Sequence, residues 1–391
     1  MWRFFIQIFS LYGLVFTPFS VANEAEPQHT QLPALDVSAT DNDDSRYFFD
    51  PGVMYGSESQ FGPFNVLFNV GLVVPGRLHT TPELGDIDWK AGWSEVRYSL
   101  THQNEVIDNS GGSQEALDKE VIPFAHPSGA WLPNYALHFL GEGMLSRKLE
   151  EYFIHSGYSP VAAKVAAITT ITTSQLVNEV VEYELPWEQR LDPLADFYFN
   201  LAGVIAFSFD DVAEWFSSGS RQLLYWPGQP IIDVRSGAIF NQGENYLFRF
   251  GEGYKWSAIM GMPHNGFGLG IPMDNEEFEF LTVMLATDVI IPQVDEDFDD
   301  PKYDRGSNFR ASDVAEQYLV SLNTYYDRKG ALLFSSALSF YPSKQLTLNL
   351  YPNSFQWNQF GLGAYAILSE EGASSAGITL AWSPFTPGIR W

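Results

Sequence analysis

From residue 318 onward the chain alternates apolar with small or polar residues, one short segment after another. Tyr318, Val320, Leu322 and Tyr326 fall on one side of the first segment, with Ser321, Asn323 and Tyr325 on the other. Leu332, Phe334, Leu338 and Phe340 then alternate with Ala331, Ser335, Ala337 and Ser339, and Leu346, Leu348 and Leu350 with Gln345, Thr347 and Asn349. Phe360, Leu362, Ala364, Ala366 and Leu368, followed by Ile378, Leu380 and Trp382, extend the pattern toward the C-terminus. Successive segments of period two, apolar on one face and small or polar on the other, predict a membrane-spanning antiparallel β-barrel. The same alternation over 62–74, with Phe64, Val66, Phe68, Val70 and Leu72 on one side, predicts an early strand, and 93–102 predicts another. Residues 104–120, rich in Asn, Asp and Gly, read as a loop.

Between about 128 and 218 the period changes to that of a helix. Ser159 before Pro160, and Asp192 before Pro193, have the order of an N-cap followed by a proline in the first turn. An earlier run over 132–154 ends near Gly157. Three helices are expected here, as an insert that plugs the barrel or caps it from the periplasm. Each carries a narrow polar row. These are Asn134, His138 and Glu142 on the first, Thr172, Gln175, Glu179 and Glu182 on the second, and Asp192, Asp196 and Asn200 on the third. The third helix is otherwise apolar nearly all round, so its polar arc should face the other helices or a wet cavity.

If the rows converge, one histidine and several carboxylates share a pocket, and each buried acid needs a partner, a proton or a metal. Three readings follow. His138 with Glu179 or Asp196 serves as general base and orienter. Alternatively, His138, Glu142, Glu179, Glu182 and Asp192 hold a divalent cation. In the third reading Arg147, Lys148, Lys164 and Arg190 neutralise the acids, and the rows form a structural network or a solvated face.

Arg3 precedes an apolar run from Phe4 to Phe19, and Ser20, Val21 and Ala22 are small, so 1–22 is expected to be a signal peptide cleaved before Asn23. The polar stretch 23–45 reads as a disordered leader. The formal net charge is −27, from 21 basic and 48 acidic residues, which argues against nucleic-acid binding through phosphates. There is no cysteine, hence no disulfide and no lipidated N-terminal Cys. Aromatics at 16% suit the girdles of an envelope barrel. The acidic run 295–304 lacks the glycine and closing glutamate of a calcium loop and reads as an outer loop. Around His264 no serine stands beside the histidine, so a turn is expected there.

The set His138-Phe139, Asn178-Glu179 through Glu182, Arg190, Asp192, Asp196, Asn200 and Gly203 resembles the pattern of VanZ-like proteins. It is also similar to a family of uncharacterised outer-membrane proteins that join such helices to a β-barrel, with a His-Pro (His126-Pro127) ahead of the first helix. The resemblance implies that His138, Glu179, Asp196 and Asn200 form a constellation facing a lipid or cell-wall headgroup. The chain is thus read as mainly β with an α insert. N-terminal barrel strands and loops lie over 46–127, the helical insert over 128–218 and C-terminal barrel strands over 219–391, for a barrel of about 12 strands (10–14). Its expected place is the outer membrane, among outer-membrane lipids. The terminal Trp391 suits recognition by barrel-assembly machinery, although Pro384 and Pro387 interrupt the last strand. A structural, lipid-contacting or transport role is expected. The alternative is an envelope-lipid enzyme, a hydrolase or an acyl or phosphoryl transferase.

Overall fold

The computed structural model describes residues 46–73, 87–126, 129–182, 191–218, 220–233, 239–241, 243–251, 257–262, 265–274, 278–290, 317–341, 344–352, 356–357, 360–369, 375–382 and 388–390. The signal segment, the 23–45 leader, Pro127, Arg190, His264, the run 295–304, Pro384, Pro387 and Trp391 lie outside the described residues.

Among the described residues every helix precedes every strand. A 3₁₀ turn Gly56–Gln60 is followed by α1 (Pro63–Val66, continuing as a π turn Leu67–Gly71), α2 (Trp89–Thr101), α3 (Gln103–Asn109) and α4 (Ser113–Glu120). Next come α5 (Trp131–Pro133, a π-helical stretch Asn134–Glu142, then Gly143–His155), α6 (Pro160–Val181), α7 (Asp192–Phe207) and α8 (Asp210–Ser217). The expected strands at 62–74 and 93–102 and the loop at 104–120 are therefore corrected to helices. The helical part exceeds three helices, and over 46–127 it takes the place expected for barrel strands.

The physical reason is visible in the burial. Along α1 the buried residues are Asn65, Val66, Asn69 and Val70, at i and i+4, while Phe64 is half exposed. Asn69 Nδ2 donates to its own helix at Asn65 O (3.1 Å) and to Gly228 O (3.4 Å), and its Oδ1 accepts from Gly243 N (3.1 Å). In α2 the buried Gly92, Val96 and Ser99 have helical spacing, and Asp88 Oδ1 caps the start by accepting from Ala91 N (2.9 Å). Ser159 caps α6 as expected. Asp192 does not cap α7, since the N-cap position is Leu191.

The strands form one sheet. They are β1 (Arg221–Pro227), β2 (Ile231–Asp233), β3 (Ile239–Phe240), β4 (Glu244–Phe250), β5 (Ser257–Met262), β6 (Asn265–Asp274), β7 (Glu279–Ile290), β8 (Gln317–Arg328), β9 (Ala331–Tyr341), β10 (Gln345–Leu350), β11 (Gln356–Trp357), β12 (Phe360–Ser369), β13 (Ser375–Trp382) and β14 (Gly388–Arg390). Their order is β1-β4-β5-β6-β7-β8-β9-β10-β12-β13-β14-β2-β3, with β11 beside β12. All pairs are antiparallel except β14 with β2. Lys329 and Gly330, both at positive φ, make the tight β8–β9 turn, as a two-residue hairpin requires.

The register explains the alternation. Directly opposed residues run Leu223, Phe248, Met260, Phe267, Leu285, Leu322, Leu338, Leu346 and Leu368 across nine strands, an unbroken apolar row. The next row, on the opposite face, runs Arg249, Ile259, Gly268, Met284, Asn323, Ala337, Thr347 and Ile367. Burial is inverted relative to a water-soluble sheet. Thr282, Ser321, Asn323, Asp327, Thr347 and Thr379 are buried, whereas Phe267 is 72% and Leu285 59% exposed. On the polar face Arg249 forks onto the buried Asp327 (3.1 and 2.5 Å), beside a cluster that holds Trp226, Leu247, Met284, Tyr325 and Tyr351.

The main helices pack on the apolar face. Leu223, Tyr225 and Tyr246 join Val66, Leu145, Leu149, Ile171 and Phe207 in one core, with Phe248 and Met260 against it. The Gly56–Gln60 turn meets an end of the sheet, where Ser57 Oγ accepts from Leu332 N (3.0 Å). Within the layer, α5 and α7 cross at bare backbone. A Cβ on Gly203 would collide with Phe139 O, and one on Gly143 would stand 2.8 Å from Gly203 C. Gly203→Ala is therefore expected to cost about 1–3 kcal/mol or more through overpacking. Chemical denaturation of the helical layer checks this, and an unchanged midpoint would contradict the close crossing.

Candidate functional site

The α5–α7 crossing brings the polar rows together. His138 lies on the π-helical stretch of α5, a rare geometry that recurs at functional sites. Its Nδ1 donates to Glu142 Oε1 (3.0 Å), and its Nε2 faces Asp196 Oδ2 on α7 at 3.3 Å. Asn200, one turn beyond Asp196, donates to Glu142 Oε2 and to Gln175 Oε1 (3.0 Å) on α6. Glu179, one turn beyond Gln175, adjoins Asp196. The sheet forms one wall. Glu244 on β4 accepts from Tyr246 Oη (2.6 Å) and faces His138 and Glu142, and Gly141 leaves no room for a Cβ against the Tyr246 ring. His138, Glu142, Glu179, Asp196 and Asn200 are all buried, but the side chains of His138 and Asp196 each keep 10% of their surface open.

These contacts bear on the protonation states. Both ring nitrogens of His138 face carboxyl oxygens, a geometry that favours a proton on each and an imidazolium ring. Burial alone would lower its pKa. The carboxylates of Asp196 and Glu142 outweigh burial and push it up to about 10. In that state the ring has no lone pair with which to accept a proton, and His138 stands as a cation between two acids.

Burial is the main cause of the shift in each acid. Asp196 is raised to about 7, with His138 opposing and Asp192 adding to the shift. Asp192 is raised to about 6, with Glu120 contributing. Glu179 lies well above the ordinary range, with Asp196 and Glu182 adding, and Glu182 likewise, with Asp192 and Asp196 adding. A carboxyl–carboxylate contact such as Glu179 with Asp196 holds together only with a proton between the two groups. Glu179 Oε1, Asp196 Oδ1 and Gln175 Nε2 are buried without a hydrogen-bond partner.

All the predicted site residues except Asn134 meet in this cluster, with Glu182 and Asp192 at its half-buried edge. Asn134 instead holds the neighbouring buried Glu120, donating to its O (3.0 Å) and its Oε2 (3.1 Å). Of the four basic residues expected to neutralise the acids, Arg190 lies outside the described residues and the other three pair elsewhere. Arg147 pairs with Glu151 and Asp210, Lys148 with Glu58, and Lys164 with Glu150. Lys119, 3.6 Å from Glu120, is the lysine that reaches the acids. Among the described residues no group of three ligating side chains is arranged to hold a metal ion. Glu120, Glu244 and Tyr246 escaped the sequence reading. Glu120 follows the apolar pair Ala116-Leu117 in what looked like loop, and Glu244 opens a strand whose partner helix is about a hundred residues away in the chain. No family model, curated protein or solved structure matches this chain.

The protonation states set the response to pH. The folded state binds more protons than the unfolded one at the raised acids, so their effect on stability worsens as pH climbs from the ordinary carboxylate range through about 6 to 7. The His138 contribution is complete below its ordinary 6.5 and is lost as pH rises through about 10. Both signs agree. Hydrogen exchange corrected for its intrinsic pH dependence should show protection of 131–155 and 192–207 falling from about pH 6 to about pH 10, and constant or rising protection would contradict these states. Removing His138 (H138A) leaves Glu142 and Asp196 unpaired and should destabilise the layer by about 3–5 kcal/mol. Glu179→Gln removes one acid from a crowd of like charges and should be neutral or stabilising. Thermal unfolding compares the two, and a larger loss for Glu179→Gln would reverse the assignment.

Proposed function

We propose that the chain is an exported outer-membrane protein whose sheet closes into a lipid-embedded β-barrel that carries the helical layer on its side. The observation that carries this is the unbroken apolar row from Phe267 to Leu368, exposed except at the half-buried Leu346, on a sheet whose other face buries Ser, Thr, Asn and Asp. Water does not favour that arrangement and lipid does. In a soluble β-protein these rows would pack on each other. Closure is supported by the pairing. Only Gly228, Gln229 and Pro230 separate β1 from β2, and only positions 241–243 separate β3 from β4. On this reading β1 with β2, and β3 with β4, are two interrupted strands of one hairpin, flanked by β5 on one side and by β14 on the other. Each composite strand in that ring then has a neighbour on both sides, which shortens the sheet edges a membrane does not tolerate.

The polar side of the sheet is filled by Trp226, Leu247, Ile259, Met284, Tyr325 and Tyr351 and by the Arg249–Asp327 pair, which favours an anchor over an open pore. The barrel then holds the helical layer against envelope lipid, in a lipid-contacting role. A second reading, an envelope-lipid enzyme, is favoured by one observation. Glu179 and Asp196 adjoin as buried acids beside the His138 ring, a donor and acceptor set for general acid–base chemistry. The resemblance to VanZ-like proteins adds a lipid or cell-wall headgroup as the matching substrate class.

The barrel reading predicts that Leu285→Arg, at a lipid-facing position, costs about 2–4 kcal/mol while Leu285→Phe is tolerated. The measurement is the fraction of heat-modifiable protein in isolated outer membranes. Equal folding of both variants would count against lipid contact. For the second reading, lipid profiles of the same membranes should differ between wild type and Asp196→Asn with the barrel intact, and identical profiles would remove it.

A further inference from the structure

We propose that the α7–α8 edge of the helical layer is itself immersed in lipid, making the layer a membrane-embedded side wall of the barrel. The inference rests on the barrel reading and extends it to a surface the alternating strands do not include.

The first argument is displacement. The apolar row that is exposed from Phe267 to Leu368 continues without a break to Met260, Phe248 and Leu223, and there the helices cover it. Helices that occupy the place of lipid on one stretch of a belt must meet lipid at their own flank. The second argument is the chemistry of that flank. From Pro193 to Phe209, α7 and the residues just after it contain a single charged residue, Asp196, which is buried in the site. The side turned away from the site presents Leu201 (41% exposed), Ile205 (48%) and Phe209 (61%) at four-residue intervals. A helix apolar on every side belongs in an apolar surround.

The third argument is continuity with the belt. Trp215 on α8 stacks on Phe248 of β4, with ring centroids 6.2 Å apart and planes at 9°, and Phe248 lies 5.7 Å from the outward Phe250. The guanidinium of Arg221 sits 4.5 Å over the same Trp215 ring, a cation and an aromatic in the pairing typical of a membrane interface. The exposed Asp210, Asp211 and Glu214 on α8 mark the limit toward water. The edge does not cross. At 1.5 Å per residue α7 is about 24 Å long, short of the roughly 30 Å hydrocarbon core, and among the described residues no helix is long and apolar enough to span. An in-plane or partly sunk position remains, as for interfacial helices.

The chain has no cysteine, so single cysteines report on single positions. Leu201→Cys and Ile205→Cys are labelled with an environment-sensitive fluorophore in full-length protein reconstituted into phosphatidylcholine–phosphatidylglycerol vesicles. Leu269→Cys on the exposed apolar face and Gln114→Cys on α4 serve as the lipid and water references, and each variant is first shown to be heat-modifiable. The expected result is blue-shifted emission at Leu201 and Ile205, lost to nitroxide-bearing lipid to the same extent as at Leu269 and insensitive to iodide. Iodide quenching at Leu201 and Ile205 like that at Gln114, with Leu269 still in lipid, would overturn the proposal and leave the barrel intact. Protection from both quenchers would place a second protein copy there and overturn it as well. A water-like signal at Leu269 would remove the barrel reading itself. If either α7 variant fails to fold, Phe209→Cys reports on the same edge with the same outcomes.

Discussion

The fold depends on one inversion of the usual rule, a sheet that exposes rows of large apolar side chains on one face and buries hydroxyls, amides and the Arg249–Asp327 pair, around an apolar cluster at Trp226, on the other. Burying Thr282, Ser321, Asn323 and Asp327 while exposing Phe267, Leu285 and Leu322 is unfavourable in water, where apolar burial supplies the driving force. In a hydrocarbon surround the same arrangement is favourable, and the polar face supplies hydrogen-bond partners that lipid lacks. The helical layer fits this frame because its core is built on the same apolar face, from Leu223, Tyr225 and Tyr246.

The acid–histidine cluster follows from that docking. Its cation and acids come from three helices, and β4 contributes Glu244 and Tyr246, so sheet and site form together. The two glycines at the α5–α7 crossing set the distance across which His138 reaches Asp196. His138 lies between two acids, and Glu179 and Asp196 adjoin it as buried carboxyl groups whose pKa values burial raises.

The strands from residue 318 onward were legible because period two runs through each segment and apolar residues meet across the register. The site was legible because its rows recur every four residues on helices with clear starts. The stretch 62–74 misled because Phe64, Val66, Phe68, Val70 and Leu72 alternate while Asn65 with Asn69, and Val66 with Val70, also satisfy a helix, and the tertiary contact of Asn69 with Gly228 and Gly243 decides between them. The partners of the basic residues could not be read from the chain, since Lys148 pairs with Glu58 across 90 positions. The protonation of His138 likewise required knowing that both of its ring nitrogens face acids.

The most direct test of the inverted sheet is a nitroxide scan along β7 from Leu281 to Thr287 in reconstituted protein, reading collision with oxygen against collision with a water-soluble nickel chelate. The account predicts a period-two oscillation, with Leu281, Val283, Leu285 and Thr287 in lipid and Thr282, Met284 and Ala286 shielded from it. Water access at the odd positions, or no alternation at all, would contradict it.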